Sequence, residues 1–314
     1  MVKSLSKLKT ALYLLKNNPE AIYRAIDSNL SRLRFLHVMP DSTYLRIRYY
    51  LCVRKKLNLD NPVTFNEKLQ WLKIYYRNPL YVKLADKFRV KKYINKNFPD
   101  LRTIPTLGLW KNAEDIDFER LPDRFVLKCT HDTGSVIVCD NKKQLNKEYA
   151  IKKLNKALKN NLFYQGREWI YKSIPPQVIA EEYLENNDSC ELIDYKFMCF
   201  NGVVKCCFVC SDRFSEEGLH VTFFDREWNM MPFCRHYPRK ESGIQKPDCY
   251  ETMIRMAESM SSEMPFVRID FYVVNGEIYF GEYTFFPGSG LEEFNPDEWD
   301  EILGNWLILP ERNN

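Results

Sequence analysis

Arg268, Asp270, Glu282 and Thr284 fall within one run, Phe266 to Gly290, whose alternation reads as two strands around Asn275-Gly276. Period-two alternation puts Arg268, Asp270 and Tyr272 on one strand face and Val267, Ile269 and Phe271 on the other. Asn-Gly favours a two-residue hairpin turn. The second strand therefore folds back, pairs residue 270 roughly with 281, and brings Glu282 towards Asp270 with Thr284 on the same side. Two neighbouring carboxylates repel unless a cation sits between them. Magnesium suits oxygen ligands and phosphate, and Arg268 adds a fixed positive charge to that face. For the hairpin alone, a solvated strand face with one exposed salt bridge is the competing explanation.

Two further stretches bear on the choice. Phe125 to Lys128 reads as a strand that closes on a cation, followed by a polar loop containing His131, Thr133, Gly134 and Ser135. Lysine beside the backbone N–H groups of such a loop is suited to a phosphate. The apolar run from Val178 ends in Glu181, Glu182, Tyr183 and Leu184. Its backbone can meet an adenine edge and its carboxylates a ribose, although an exposed strand end accounts for it equally well on local grounds.

These residues need sheets to hold them, and the pattern supplies an α+β chain. Strands are expected over 124–129, 135–139, 178–183, 195–200, 203–211, 221–225, 266–274 and 277–284, with Asn201-Gly202 as a second hairpin turn. Helices are expected over 3–36, broken at Asn17-Asn18-Pro19, over 64–97, broken at Asn78-Pro79, and over 142–160, 247–262 and 296–308. Thr64 with Glu67 three residues later forms a capping box at the start of one of them. No internal repeat is visible.

Charge is uneven along the 314 residues. Residues 1–100 carry 21 Lys and Arg against 7 Asp and Glu, and the remainder carries 25 against 35. A basic front end of this kind points to an anionic partner: nucleic acid, acidic glycan or lipid head group. Nucleic acid ranks last, because the basic residues are spread through amphipathic helices without a reading motif. Lys3, Lys7, Lys9 and Lys16 around a narrow leucine stripe make peripheral membrane contact an alternative to a solvated helix face. No apolar run is long enough to span a membrane. Most of the ten cysteines, including Cys206, Cys207 and Cys210, sit in apolar β-rich runs where a thiol is a small buried hydrophobe. With no signal-peptide pattern at the start, a reducing cytoplasm is the simpler expectation. Trp71, Tyr75, Tyr76 and Trp169 lie among basic residues and could stack on sugars, but core packing is favoured.

The order of the pieces is more specific than any one of them. Asp86-Lys87, Pro105-Thr106, Phe125-Val-Leu-Lys128 with its Gly-Ser loop, Ala180-Glu-Glu-Tyr-Leu184, Arg268-x-Asp270 and Gly281-Glu282-x-Thr284-x-x-Pro287-Gly288 together resemble the ATP-grasp superfamily. Thr64-Phe-Asn-Glu-Lys-Leu-Gln-Trp71, Asp194-Tyr-Lys-Phe197 and the Phe280 to Gly290 run look like its TupA-like branch, over about residues 60–308.

The resemblance implies an ATP-grasp fold: two α+β subdomains, over 101–185 and 186–314, whose antiparallel sheets grip a nucleotide behind a basic helical region, 1–100. It implies ATP and magnesium as cofactors. Lys87 and Lys128 match the phosphate-holding lysines, and the loop with His131, Thr133, Gly134 and Ser135 matches the flap that closes over the phosphates. Glu181, Glu182, Tyr183 and Leu184 match the adenine hinge, and Asp188 or Asp194 is the nearest ribose carboxylate, with Lys196 beside Asp194. Asp270, Glu282 and Thr284 match the metal ligands, and Arg268 the arginine beside the transferred phosphate. Thr284 departs from the usual Asn, leaving one or two metal ions open. The implied reaction is amide ligation: ATP phosphorylates a carboxylate and an amine displaces the phosphate. The implied carboxylate is a uronic acid of an anionic surface glycan or its precursor, or an amino acid, and the implied amine an amino acid or other amine. Two rivals stand beside it: a glycosyltransferase, for which Asp225-Arg-Glu227 is a poor metal motif, and a non-catalytic adaptor for polysaccharide or membrane. Residues 1–80 lack the β-α-β acceptor pattern found in many ATP-grasp enzymes.

Overall fold

The computed structural model describes Asp27 and residues 33–187, 192–212 and 218–312. The helix expected over 3–36 falls almost entirely outside these residues, as does Asp188.

Four helices open the described chain: α1 (Asp41–Val53), α2 (Phe65–Tyr75), α3 (Leu80–Ala85) and α4 (Arg89–Asn97). The capping box forms as expected. Thr64 Oγ1 accepts from Glu67 N at 3.3 Å, while Glu67 Oε2 accepts from Thr64 N at 3.2 Å and Val63 N at 2.9 Å. Helix α1 has no counterpart in the sequence reading. Its inward residues Tyr44, Leu45 and Tyr49 are interleaved with arginines and further tyrosines, so no clean apolar stripe announces it.

Two main sheets follow. The larger has the order β1-β11-β10-β6-β7-β8, antiparallel except where β1 (Arg102–Thr103) runs parallel to β11 (Glu277–Thr284). Its other members are β6 (Asp194–Phe200), β7 (Val203–Ser211), β8 (His220–Phe224) and β10 (Phe266–Val274). The smaller sheet, order β2-β5-β3-β4, joins Thr106–Trp110, Val178–Glu182, Phe125–Cys129 and Ile137–Cys139, all antiparallel. Strand β2 escapes sequence reading because Gly108 interrupts five residues and marks a register shift. Two-residue strands Cys234–Arg235 (β9) and Phe294–Asn295 (β12) form a third, minor sheet.

Both Asn-Gly turns are built with both residues at positive φ, 49° and 79° at 201–202 and 51° and 82° at 275–276. That backbone matches the twist of the strands it joins. Helix α5 (Lys147–Leu158) covers the back of the small sheet, packing Ala150, Leu154 and Ala157 against Phe125, Leu127, Cys129 and Ala180. Helix α6 (Tyr250–Ser261) covers the large sheet, where Phe197, Cys199, Cys207, Ile269 and Phe271 are buried. Helix α7 (Glu298–Trp306) packs on α2 through Gly304, where a Cβ would meet Val63 O at 2.2 Å. Asp300 receives Asn66 N at 2.9 Å and Asn66 Nδ2 at 3.0 Å across that contact. Cys206, Cys207 and Cys210 are buried along β7, and Trp71 and Trp169 lie in the core as expected. Among the described residues no helix is long and apolar enough to cross a membrane.

Candidate functional site

Each sheet has one face on the core and one on the space between them. On β3 and β5 the residues facing α5 are Phe125, Leu127 and Cys129, with Val178 and Ala180. Alternation sends Val126, Lys128, Ile179 and Glu181 to the opposite face, and the register places Val126 directly across from Glu181. Glu181 is buried, and its two oxygens meet Lys91 Nζ at 2.6 Å and Lys128 Nζ at 2.5 Å. Burial alone would raise the Glu181 carboxyl, but Lys128 and Lys91 hold it below its ordinary value. The Glu181 side chain, expected at an adenine hinge, thus lies between lysines.

Lys91 is absent from the sequence reading. The signal that could have found it is its spacing of four from Lys87 at a helix start. Its ammonium also donates to Ile104 O at 2.6 Å and Thr106 Oγ1 at 3.0 Å, tying α4 to the connection between the two sheets. Lys87 projects from the entry to α4, where Asp86 Oδ1 accepts from Phe88 N at 2.9 Å and Arg89 N at 3.1 Å. Its Nζ donates to Asp132 O, and its backbone N to Thr130 O at 3.1 Å. Burial lowers the Lys87 pKa, with Glu282 pulling upward and Lys128 downward. Lys87 therefore feels the large-sheet carboxylate and the small-sheet lysine together.

The 131–135 loop is divided between interior and surface. His131 is buried with Nε2 on Asn160 O at 3.1 Å, and Ser135 Oγ donates to Asp132 Oδ1 at 2.6 Å while accepting from Cys129 N at 2.8 Å. Thr133 and Gly134 form the exposed tip, with Gly134 at φ 88°. Glu182 is exposed and its N donates to Pro105 O at 3.1 Å. The Tyr183 ring lies under the Arg124 guanidinium at 4.1 Å, and Leu184 is partly buried. Beyond them Asn186 and Asn187 exchange hydrogen bonds with Asn275 at 3.0 and 2.9 Å, fastening the connection to the β10–β11 turn.

The large sheet contributes the opposing charges. Regular pairing from the 275–276 turn would place residue 281 opposite Asp270 and send Glu282 to the apolar face. A bulge prevents this: Phe271 pairs with Phe280, but Asp270 pairs with Glu282 and Arg268 with Thr284. A one-residue slip exchanges the faces of a strand. Gly281 makes the slip feasible, because a Cβ there would lie 2.9 Å from Asp270 O.

Arg268, Asp270, Glu282, Thr284, Asp194 and Lys196 consequently share one face. Arg268 Nε and Nη2 donate to the two Asp270 oxygens at 2.7 Å each, and Nη2 also donates to Glu282 Oε1 at 2.8 Å. Lys196, opposite Asp270 on β6, donates to Asp270 Oδ2 and pairs with Asp194 Oδ2 at 2.7 Å. Thr284 Oγ1 donates to Glu282 Oε1 at 3.1 Å. Burial pushes the Asp270 carboxyl up against the pull of Arg268 and Lys196. Burial would also raise Glu282, but Arg268, Lys87 and Lys196 hold it at about 2. Burial would lower Arg268 and Lys196, yet the surrounding carboxylates keep both above their ordinary values.

These donors are oxygen-only and hard. Among the described residues no group of three His, Cys, Asp or Glu could hold a metal. Two carboxylates and a hydroxyl instead fit a cation that completes its shell with phosphate oxygens and water, as magnesium does. Asp225, in the stretch judged a poor metal motif for a glycosyltransferase, is occupied in a local turn, accepting from Glu227 N at 3.0 Å and Asn229 N at 2.7 Å.

The family model for TupA-like ATP-grasp proteins matches residues 67–308, which takes in every one of these side chains. The chain belongs to this family. Its α+β architecture with antiparallel sheets is the ATP-grasp fold. Among solved structures, this TupA-like protein is similar to D-alanine–D-alanine ligase from Bacillus anthracis complexed with ATP, at 15% identity and TM-score 0.39, covering 64% of this chain and 55% of that one. It is similar at 15% identity and TM-score 0.42 to the Helicobacter pylori D-alanine–D-alanine ligase, covering 78% and 69%. The ATP-grasp ligase PsnB, complexed with minimal precursor, Mg and ADP, matches at 10% identity and TM-score 0.35, covering 78% and 59%. The TupA-like chain thus spans just over half the length of the Bacillus anthracis ligase. No curated protein matches the sequence.

Proposed function

We propose that this TupA-like protein is an ATP- and magnesium-dependent carboxylate–amine ligase acting on an anionic glycan or glycan precursor of the bacterial surface. The observation that carries the reading is the position of Lys87, which feels Glu282 on one sheet and Lys128, Asp132 and Glu181 on the other side of the same space. Three lysines facing two carboxylates and an arginine is the charge arrangement that phosphoryl transfer requires. In this reading the small-sheet unit, 101–185, and the unit over 186–314 are two jaws behind the helical 1–100.

Lys87 and Lys128 would take phosphate oxygens, with Glu181 and Lys91 holding Lys128 in place. The backbone of Glu182, Tyr183 and Leu184 would meet the adenine, and Asp194 the ribose, positioned by Lys196. Asp270 and Glu282, with the Thr284 hydroxyl, would hold magnesium, which neutralises charge on the transferring phosphate when bound. Arg268 would stabilise that phosphate as it moves to the carboxylate substrate. Thr133 and Gly134, at the exposed tip of the 131–135 loop, would close over the site and exclude water. The glycan assignment rests on the basic front end, whose 21 cations against 7 acids in residues 1–100 suit an acidic partner.

An acyl phosphate is trapped by hydroxylamine as a hydroxamate. Hydroxamate and ADP should form when the protein is given ATP, magnesium and a panel of uronic acids, and Asp270→Asn should abolish both. ADP formation that needs no carboxylate, or hydroxamate formation that survives Asp270→Asn, would refute the assignment. Sugar transfer from a nucleotide sugar would establish the glycosyltransferase in its place.

A further inference from the structure

A cavity of about 740 Å³ opens between α4 and the 103–106 connection that carries the chain from the large sheet to the small one. Five cations line it, Lys83 from α3 and Arg89, Lys91, Lys92 and Lys96 from α4, and among the described residues no carboxylate does. Two of the five are answered by acids nearby: Lys91 by Glu181 at 2.6 Å, and Arg89, whose Nε lies 3.4 Å from Asp86 Oδ2. Lys83 sits over the Tyr93 ring at 5.4 Å. Lys92 and Lys96 make no hydrogen bond and no ion pair among the described residues.

Helical spacing aligns these groups. Val90 and Ile94 are the buried residues of α4, and Phe88, Lys92 and Lys96 follow one another in steps of four along the opposite side. At 1.5 Å per residue that stripe runs about 12 Å. Like charges four residues apart repel on a helix, and the cavity holds no acid to relieve Lys92 and Lys96. Asn95 stands beside the stripe. Its Oδ1 accepts from Thr103 Oγ1 at 3.1 Å, which leaves both Nδ2 hydrogens without an acceptor among the described residues.

The lining selects the ligand. A single carboxylate or phosphate engages one ammonium and leaves the rest of the stripe idle, whereas a ligand with anionic groups repeated along its length answers Lys92 and Lys96 together. Phe88 is a large apolar ring left exposed at the end of the same stripe, suited to the apolar face of a sugar. The Asn95 amide suits sugar hydroxyls. A bare polyphosphate has no use for the ring, and a neutral glycan none for the lysines. The groove also touches the cleft, because its wall residue Lys91 donates to Ile104 O at 2.6 Å and Thr106 Oγ1 at 3.0 Å while pairing with Glu181, the partner of Lys128.

We propose that the groove between α4 and the 103–106 connection binds an acidic oligosaccharide, with Lys92 and Lys96 on successive carboxylates and Phe88 on a sugar face. The proposal rests on the ligase reading above for the part this chain plays: the groove holds sugars beyond the one that reacts, since Arg268 and the metal-ligand carboxylates do not line it. Binding at such remote sugars holds the reacting carboxylate near the cleft without taking part in its chemistry.

The probe is end-labelled tetragalacturonate, titrated into the full chain at about 0.15 M salt and followed by fluorescence anisotropy. Unlabelled tetragalacturonate, maltotetraose, tripolyphosphate and phosphatidylglycerol vesicles serve as competitors. The wild type should bind the probe, and the double variant Lys92→Gln, Lys96→Gln should bind it tenfold or more weakly. Both lysines are exposed, so that variant should keep the wild-type melting temperature and its increment with magnesium and a non-hydrolysable ATP analogue. Phe88→Ala should weaken the probe to a smaller degree. Equal affinity in the wild type and the double variant overturns the proposal, as does a wild type that ignores the probe. Displacement by maltotetraose as readily as by tetragalacturonate overturns it too, and so does displacement by tripolyphosphate or vesicles in preference to tetragalacturonate. The nucleotide arm separates the two readings. A protein that ignores nucleotide yet binds the probe through Lys92 and Lys96 keeps the groove and sinks the ligase, and one that responds to nucleotide alone does the reverse.

Discussion

The bulge at Gly281 offers a severe test of how this site is built, because two Gly→Ala changes on one hairpin should cost similar stability and differ in their response to nucleotide. A Cβ at 281 would lie 2.9 Å from Asp270 O and 3.2 Å from Asp270 C and Cβ, backbone and near-backbone atoms that cannot swing away. Overpacking of this kind costs about 1–3 kcal/mol, and it drives apart the two residues that carry the paired carboxylates. A displacement of about 1 Å at a site costs roughly 100-fold in function. At Gly276, by contrast, nothing lies within 4 Å, and the change meets only the positive φ of 82°, a backbone cost of about 1–2 kcal/mol. The assay is melting temperature with and without magnesium and a non-hydrolysable ATP analogue, after denaturant unfolding has fixed each variant's own stability. Ligand at 100 times Kd stabilises by about 2.7 kcal/mol. If Gly281→Ala raises Kd about 100-fold, the same concentration yields only about 0.4 kcal/mol. At about 2 °C per kcal/mol for a chain this large, a shift of about 5 °C should shrink below 1 °C. Gly276→Ala should lose similar stability and keep the full shift. A Gly281→Ala protein that responds to nucleotide as the wild type does would refute the idea that the bulge places Glu282.

Further outcomes follow from the same contacts. Glu282 is held at about 2 against an ordinary 4.5, so its stabilisation is complete above about pH 4.5 and is lost as pH falls through 2. With 36% of its side chain exposed, screening reduces the contribution to about 1–2 kcal/mol, and Glu282→Gln should flatten that part of the stability–pH curve. Lys91→Met leaves Glu181 with Lys128 alone and should weaken nucleotide binding about tenfold, a loss of about 1.4 kcal/mol, measured by titration calorimetry. Thr64→Ala removes one half of the capping box and should cost about 1 kcal/mol in denaturant unfolding, with nucleotide affinity unchanged.

The chain's local chemistry determined a good deal by itself. Period-two alternation and Asn-Gly turns specified β6–β7 and β10–β11, and the strands Val203–Ser211, Phe266–Val274 and Glu277–Thr284 have the bounds expected. The Thr64–Glu67 box marked the start of α2 for the same reason: both signals act between residues close in sequence, so local backbone geometry decides them. The charged residues at 87, 128, 181, 268, 270 and 282 could be singled out by hairpin alternation and by the order of the motifs they sit in. What tertiary structure alone decided is which of them meet. The bulge that turns Glu282 towards Asp270 depends on crowding between β10 and β11, and Lys91 joins Glu181 because α4 packs beside β1, where the chain passes on to Thr106 of β2. Lys73 comes to Ser289 across 216 residues of chain. Long-range packing sets these meetings, and no periodicity within a single segment records it.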